Sequence, residues 1–498
     1  MRDPGGQRDE ARHQAGVRRV LLDTSFIKPD PAPLGIHRVL TQYADHGARF
    51  AARAGVGFEL VECAADGGFV RRLDPLVGTA PAPAAPAPAA RIALRAGLEG
   101  LRYVSHVLST GSRFAASLIP AAPLKRGSAA FSRTMDGLVP AMRAALAPVP
   151  ARGAAIDFAP GDVLFCAGFW HEMDFSAYRR AAAAGARIVF LVHDILPALM
   201  PTFYQYPWRL RFQRALVQAV ETGGHFYAVS GQSLEDLRDF AHWYGKSVSG
   251  AIAYNGFDPT DGQGALATAA LSDAHRAVLA RRPWLMVGTV EPKKGHGDAV
   301  AAFERLWGEG YERPLVIIGR RGWMSEDMLE IICGSPWYGQ RLFWHQDLGD
   351  AEVAAHYSGA HALLFASLAE GFGLPPLEAA TRGLPVLARD IAVVREVLGP
   401  AGRYFSSRRD MPEAIRALED AAIYAASQHR ISNLTWYSWP AVVDQVMADL
   451  LRPASAHAQG GDLLASVPRM PVRRERPAPD KLAGEENGAS AGAPENAR

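Results

Sequence analysis

The 498-residue sequence predicts an α/β chain of two Rossmann-like domains, each built on a parallel sheet wrapped by helices. Short apolar runs such as Ala362-Leu-Leu-Phe-Ala366 have the length and uniform hydrophobicity of a strand covered on both faces. Such runs are followed by glycine or serine turns and then by helical patterning, the alternation that parallel sheets with helical crossovers require. A chain of this length, 49% hydrophobic and 21% charged, is sufficient for two such cores plus extensions.

In chain order, residues 1–16 are polar, lack the apolar core of a signal peptide and are expected to be a disordered N-terminus. Val20-Leu-Leu-Asp-Thr-Ser25 reads as the opening strand, and Leu34-Gly-Ile-His-Arg-Val-Leu40 as a glycine turn entering a helix. Residues 79–90 are a proline-alanine linker, followed by a basic insertion over 91–150. Within 91–133, Arg91, Arg95, Arg102, Arg113, Lys125, Arg126 and Arg133 stand against the single acid Glu99, interleaved with apolar residues. That pattern suits either a surface helix in peripheral contact with an anionic membrane or a helical excursion with solvated arginines.

Ile188-Val-Phe-Leu-Val-His-Asp-Ile-Leu-Pro197 is a strand ending in the polar pair His193 and Asp194. Phe226-Tyr-Ala-Val-Ser-Gly-Gln-Ser233 is a strand and serine turn, with Ser230 and Ser233 expected to cap the next helix. The first domain is expected over 17–258, a Gly/Ala-rich linker over 259–281 and the second domain over 282–435. A terminal helix returning to the first domain is expected over 436–452. The Ala, Pro, Gly and Glu-rich stretch 453–498 reads as a disordered tail.

Bulk properties narrow the partners. A net charge of +2 argues against nucleic acid. Cys63, Cys166 and Cys333 are scattered, odd in number and without metal-ligand spacing, which favours a reduced, cytoplasmic compartment. No apolar run reaches the roughly 18 residues of a membrane span.

The densest chemistry lies in Glu370-Gly-Phe-Gly-Leu-Pro-Pro-Leu-Glu378. Gly371 and Gly373 permit a tight turn after a strand, and Pro375 and Pro376 fit a first helical turn. Loops at the carboxyl ends of parallel strands are where open α/β sheets bind ligands, and the N–H groups of a helix start favour phosphate. Glu370 before the turn and Glu378 inside the helix suit the hydroxyl groups of a sugar and a ribose. A glycine-proline turn flanked by two solvated glutamates is the plainer alternative.

Further runs set this motif in order. Trp284-Leu-Met-Val-Gly-Thr-Val-Glu-Pro-Lys-Lys-Gly295, Leu315-Val-Ile-Ile-Gly-Arg-Arg-Gly-Trp323 and Phe343-Trp-His-Gln-Asp-Leu-Gly-Asp350 precede it. Gly383-Leu-Pro-Val-Leu-Ala-Arg-Asp390 and Arg395-Glu-Val-Leu-Gly399 follow. In this order they resemble the donor half of a GT-B glycosyltransferase of family 4, the retaining group also called glycosyl transferases group 1, with a mannosyltransferase-like look. The resemblance implies two domains facing a cleft and a hexose moved from a nucleoside-diphosphate sugar, with GDP-mannose the first choice, to a saccharide or lipid-linked acceptor in polysaccharide assembly.

By the same resemblance, Glu370 contacts the transferred sugar and Glu378 the nucleotide ribose. The backbone of Gly371, Phe372, Gly373 and Leu374 lies near the sugar and diphosphate, Lys294 neutralises the diphosphate, Gly35 faces it across the cleft, and His193 lies beside the sugar with Asp194 on the acceptor side. Many relatives carry an arginine where this chain has Thr289, so Lys293, Arg320 or Arg321 is expected to supply the second positive charge. No Asp-x-Asp pair is found, so neither a metal nor another cofactor is expected to be required. A sugar-nucleotide epimerase shares this plan, and a non-catalytic scaffold would retain the donor site.

Overall fold

The structure, a computed structural model, describes residues 16–25, 27, 35–64, 68–74, 76, 153–168, 175–258, 271–453 and 461–472. The linker 79–90 and the basic insertion 91–150, with the membrane contact expected of 91–133, lie outside the described residues.

The apolar runs become strands of two separate sheets. The first comprises β1 (Arg19–Asp23), β2 (Gly57–Cys63), β3 (Phe69–Arg71), β4 (Asp162–Cys166), β5 (Arg187–Val192), β6 (His225–Ala228) and β7 (Ser249–Ile252). Its spatial order is β3-β2-β1-β4-β5-β6-β7, and all neighbours are parallel except the edge strand β3. The second sheet is formed by β8 (Trp284–Val287), β9 (Leu315–Ile318), β10 (Leu342–His345), β11 (Ala362–Phe365), β12 (Val386–Arg389) and β13 (Arg403–Phe405), in the order β10-β9-β8-β11-β12-β13 and wholly parallel. Strands β4, β9 and β11 are buried at every position, as sheets covered on both faces demand.

The strand orders matter because each reverses direction once. In the second sheet the chain runs outward from β8 to β9 and β10, then returns to β11 on the other side of β8. The helices that follow β8 and β11 therefore pack on opposite faces of the sheet, and the loops leading to them border a crevice at the carboxyl ends of the strands. Those loops carry Lys293, Lys294 and Glu370.

The helix Trp439–Leu450 lies on the first domain against the helix Ile36–Ala54, burying Val442, Val443, Val446, Met447 and Leu450. Each such buried side chain contributes about 1.5–3 kcal/mol. The exposed Arg53–Asp444 pair at 2.8 Å adds at most about 1 kcal/mol, so apolar packing holds this helix in place. Asp449, nearly inaccessible, accepts from the Tyr227 hydroxyl at 2.6 Å.

One expectation is corrected. Part of the stretch 453–498 is ordered: Met470–Pro471 (β15) pairs antiparallel with Thr435–Trp436 (β14), and Ile252 of β7 bonds Gly461 and Leu463 through its backbone. Leu464 and Val472 are buried there. A few aliphatic side chains spaced among Ala, Gly and Pro supply anchors that average composition conceals.

Candidate active site

At the crevice, the β8 turn closes as a single 3-10 turn, Pro292–Lys294, ended by Gly295 at φ 72°. A Cβ on Gly295 would sit 2.3 Å from the Ala366 carbonyl oxygen, so only glycine lets this turn lie against the end of β11. The Leu368 N–H donates to the Lys293 carbonyl at 2.7 Å, tying the two turns together. Lys294 Nζ consequently lies 2.6 Å from Oε1 of Glu370, which also accepts from the Ser367 hydroxyl at 2.6 Å. Burial pushes the Glu370 carboxyl up, but Lys294 and Lys293 together outweigh it and hold the group below its ordinary value. Glu370 is an ionised, fixed carboxylate.

Lys293 is buried beside Glu291, Nζ to Oε1 3.7 Å. Burial disfavours its charge, yet the surrounding negative groups, Glu370 and Asp194 foremost, raise its pKa above the ordinary lysine value. The second oxygen of Glu291 is buried without a hydrogen-bond partner among the described residues, and burial raises that carboxyl. Two cations thus stand at the crevice, one on a buried acid and one on Glu370.

The first domain meets this cluster through the end of β5. His193 Nε2 donates to the Ala167 carbonyl at 2.9 Å, and burial lowers the imidazole pKa, so the ring is neutral at pH 7. Oδ1 of Asp194 accepts from the Leu196 N–H at 3.0 Å. A Cβ on Gly371 would lie 2.0 Å from the His193 carbonyl oxygen and 3.1 Å from the Asp194 Cβ. The Ser233 hydroxyl lies 3.4 Å from the carbonyl oxygens of both His193 and Gly371. The glycine turn of the second domain is therefore in contact with the first domain's polar pair, and Ser230 caps the helix Gly231–Trp243 through the Ser233 N–H.

Glu378, in the helix Pro375–Ala380, accepts from the buried Tyr357 hydroxyl at 2.7 Å, and its other oxygen is 3.8 Å from Arg38 Nη1 of the first domain. Gly35 precedes the Arg38 helix at φ 57°, a conformation that favours glycine. Phe372 is buried with its ring 5.7 Å from Trp436, so it anchors the turn while Gly373, at φ 93°, and Leu374 complete it. Thr289 packs at the Gly322 backbone, where a Cβ would be 2.7 Å from its Cγ2. Arg320 is 71% exposed beside Asp347, and Arg321 pairs with Glu326 at 2.5 Å, so the structure groups Lys293, rather than either arginine, with Lys294.

Sequence reasoning did not single out Ser367, Glu291 or Tyr204. Ser367 carried a signal, a hydroxyl three positions before Glu370 where the strand ends. Tyr204 carried none, because its place beside Lys293, Asp194, Glu291 and Glu370 depends on how the domains meet.

Two domains, each built on a largely parallel sheet, facing one another across a cleft make up the GT-B fold. Anabaena HepE, solved with UDP and glucose, aligns over 87% of this chain and 99% of its own at TM-score 0.50 and 14% identity. Sucrose-phosphate synthase from Thermosynechococcus elongatus aligns over 88% of this chain and 99% of its own at TM-score 0.53 and 16% identity. Residues 273–433 match the family Glycosyl transferases group 1. It is 34% identical over 277 residues to the serotype-specific mannosyltransferase WbdA of Escherichia coli, a match covering 54% of this chain and 34% of WbdA, so it spans about a third of that relative's length. The O-antigen chain mannosyltransferase RfbU of Salmonella typhimurium is 25% identical over 231 residues, covering 46% of this chain and 60% of RfbU. Among the described residues no helix is long and apolar enough to cross a membrane.

Proposed function

We propose that this chain is a retaining hexosyltransferase that moves mannose from GDP-mannose to a saccharide or lipid-linked acceptor in polysaccharide assembly. The observation that carries the proposal is the 2.6 Å contact between Lys294 and the buried Glu370 at the switch point. The mannosyltransferase names of the sequence relatives support the choice of sugar.

In this reading Lys294, seconded by Lys293, meets the diphosphate and stabilises the negative charge that grows as it departs. Glu370, fixed by Ser367, orients the sugar hydroxyls, and Glu378 holds the ribose. Neutral His193 donates through Nε2 to the Ala167 carbonyl, which fixes the ring beside the sugar. The acceptor oxygen bonds to the anomeric carbon on the face the diphosphate leaves, and its proton passes to a diphosphate oxygen, so configuration is retained. Glu370 and Glu378 belong to one loop and helix of one domain, which does not suit the paired carboxylates across a scissile bond that glycoside hydrolysis uses. Positioning and charge stabilisation supply the rate, with the two lysines in the place of a divalent cation.

Calorimetric titration with GDP, UDP, ADP and dTDP, followed by transfer from the matching labelled sugar nucleotide with and without EDTA, tests the reading. Selective GDP binding and EDTA-resistant mannosyl transfer are expected. Binding of none of the four nucleotides would overturn it.

A further inference from the structure

We propose that Trp323 is a stacking platform for a sugar ring of the acceptor saccharide, at the outer edge of the cleft. The inference rests on the glycosyltransferase reading and adds a subsite to it.

Trp323 ends the β9 turn, which is stitched to the Lys294 turn. The Val290 N–H donates to the Arg320 carbonyl at 2.9 Å, and the Gly322 N–H donates to the Val290 carbonyl at 3.0 Å. The indole reaches across to the first domain, where Nε1 donates to the Phe203 carbonyl at 2.9 Å and one ring face stacks on Tyr204, with centroids 5.7 Å apart and planes 22° apart. Tyr204 stacks in turn on Trp208 at 5.3 Å and 20°, and Trp208 packs on Phe212 at 5.8 Å. Tyr204 is buried and within electrostatic reach of Lys293, Asp194, Glu291 and Glu370. The charged centre, Tyr204 and Trp323 therefore form successive layers from the crevice outward.

Trp323 still exposes 40% of its surface. Tyr204 covers one face and Phe203 holds the Nε1 edge, so the exposed area belongs to the second face and the far edge. A rigid aromatic presented in this way loses little conformational freedom on binding. Sugar rings offer patches of C–H groups that lie on the electron-rich face of an indole, by the same quadrupole that aligns aromatic edges on aromatic faces. The flanking Arg320 and Arg321, exposed at 71% and 53%, pair with Asp347 and Glu326 on the same rim. The depth order also fits: the donor's diphosphate and sugar belong with the lysines, one layer inside, and an acceptor chain must enter past the rim.

The test is calorimetry of α-linked mannotetraose and, separately, of GDP against the full chain and its Trp323→Ala and Trp323→Phe variants, with acceptor KM and kcat measured where transfer occurs. Trp323→Ala is expected to weaken mannotetraose binding by about tenfold, the scale of one stacked aromatic contact, and to raise acceptor KM with kcat and GDP affinity retained. Trp323→Phe keeps a ring face but loses the bond to Phe203, and is expected to retain most of the saccharide affinity. The proposal is overturned if Trp323→Ala binds the tetraose as the unaltered chain does, or if the unaltered chain does not bind it. It is equally overturned if Trp323→Phe is as impaired as Trp323→Ala, or if GDP affinity falls in step, since Trp323 would then act as a clasp between domains. Failure of the glycosyltransferase reading shows separately, as absent nucleotide binding and turnover in the unaltered chain.

Discussion

Lys294 Nζ stands 2.6 Å from Oε1 of Glu370, although the two residues lie on turns from different strands and are 76 positions apart. Adjacency of β8 and β11 creates the contact, and the Leu368–Lys293 backbone bond locks it. Removing the ammonium deletes a charge-assisted bond worth about 1.5–3 kcal/mol and leaves a buried carboxylate with less compensation. Lys294→Ala is therefore expected to lower transfer by at least ten- to a hundredfold, each about 1.4 kcal/mol being tenfold. Glu370→Ala is expected to abolish transfer while GDP still binds. Initial rates with labelled GDP-mannose and parallel calorimetry check both, and full transfer by the two variants would remove the site assignment.

Gly371 yields a sharper test. Its φ is not in the left-handed region, so the backbone tolerates alanine, but a Cβ there would meet the His193 carbonyl oxygen at 2.0 Å. Gly371→Ala is expected to fold and to separate the glycine turn from the β5 end. A shift of about 1 Å in positioned groups costs roughly a hundredfold in rate, and that loss is expected with little change in GDP affinity. Transfer kinetics with small-angle scattering will show whether the domains have moved apart.

At Glu378, two substitutions separate binding from stability. Glu378→Ala strips the buried Tyr357 hydroxyl of its acceptor, which costs about 1–3 kcal/mol. Glu378→Gln keeps an acceptor oxygen for Tyr357 but removes the charge facing Arg38. Both are expected to weaken GDP binding, and only the alanine variant is expected to lower the unfolding midpoint clearly. Equal GDP affinity in all three proteins would detach Glu378 from the ribose.

These contacts show what the sequence could and could not reveal. The strand runs were legible because burial on both faces leaves an unbroken apolar signature, as in β4 and β11. Glu370 and Glu378 stood out as carboxylates flanking a glycine turn, and Lys294 only through the resemblance of residues 284–295 to a glycosyltransferase donor half. Their partners were not legible: Ser367 lies in an ordinary strand exit, Tyr357 in a helix whose pattern says only that one face is buried, and Tyr204 meets Trp323 only because two domains close on each other. Arg320 had the right charge in the right loop, yet its side chain stands in solvent, and no local pattern distinguishes that outcome from a site contact.

Around the Lys294 turn, two groups make stability depend on acid pH, His296 and Glu370. His296 is buried behind the Lys294 turn, and burial, then Lys294, lowers its pKa from 6.5 to about 4. The unfolded chain therefore takes up a proton near pH 6.5 that the folded chain refuses until about 4, so stability falls as pH drops through that window, by an amount on the order of 3 kcal/mol at full displacement. Glu370 acts lower: its folded pKa is depressed, so its contribution is fully present above its ordinary 4.5 and is lost as pH falls through the lowered value. Urea midpoints at pH 7, 5.5 and 4.5 are expected to decline already between the first two, and His296→Gln is expected to reduce that first step, to which His345 and His361, also lowered by burial to about 4, contribute as well. No difference between the variant and the unaltered chain would show that His296 does not set this limb.

Leu464 tests the packing of the segment 461–472. It is wholly buried, next to Leu463, whose N–H donates to the Ile252 carbonyl at 3.0 Å, and it shares a core with Trp436, Tyr437 and Trp439 at the start of the terminal helix. Truncating a buried leucine to alanine removes its transfer energy and leaves a cavity, together about 2–5 kcal/mol. Leu464→Ala is expected to lower stability in urea by an amount in that range, whereas a side chain in a disordered tail would contribute within about 0.5 kcal/mol. The loss is expected to arise where β7 meets the terminal helix, so amide exchange should quicken at Ile252 and Trp436 before it does in β8 or β11. Uniform quickening would instead mean that the segment stabilises the chain as one cooperative unit, and unchanged stability would detach it from the core.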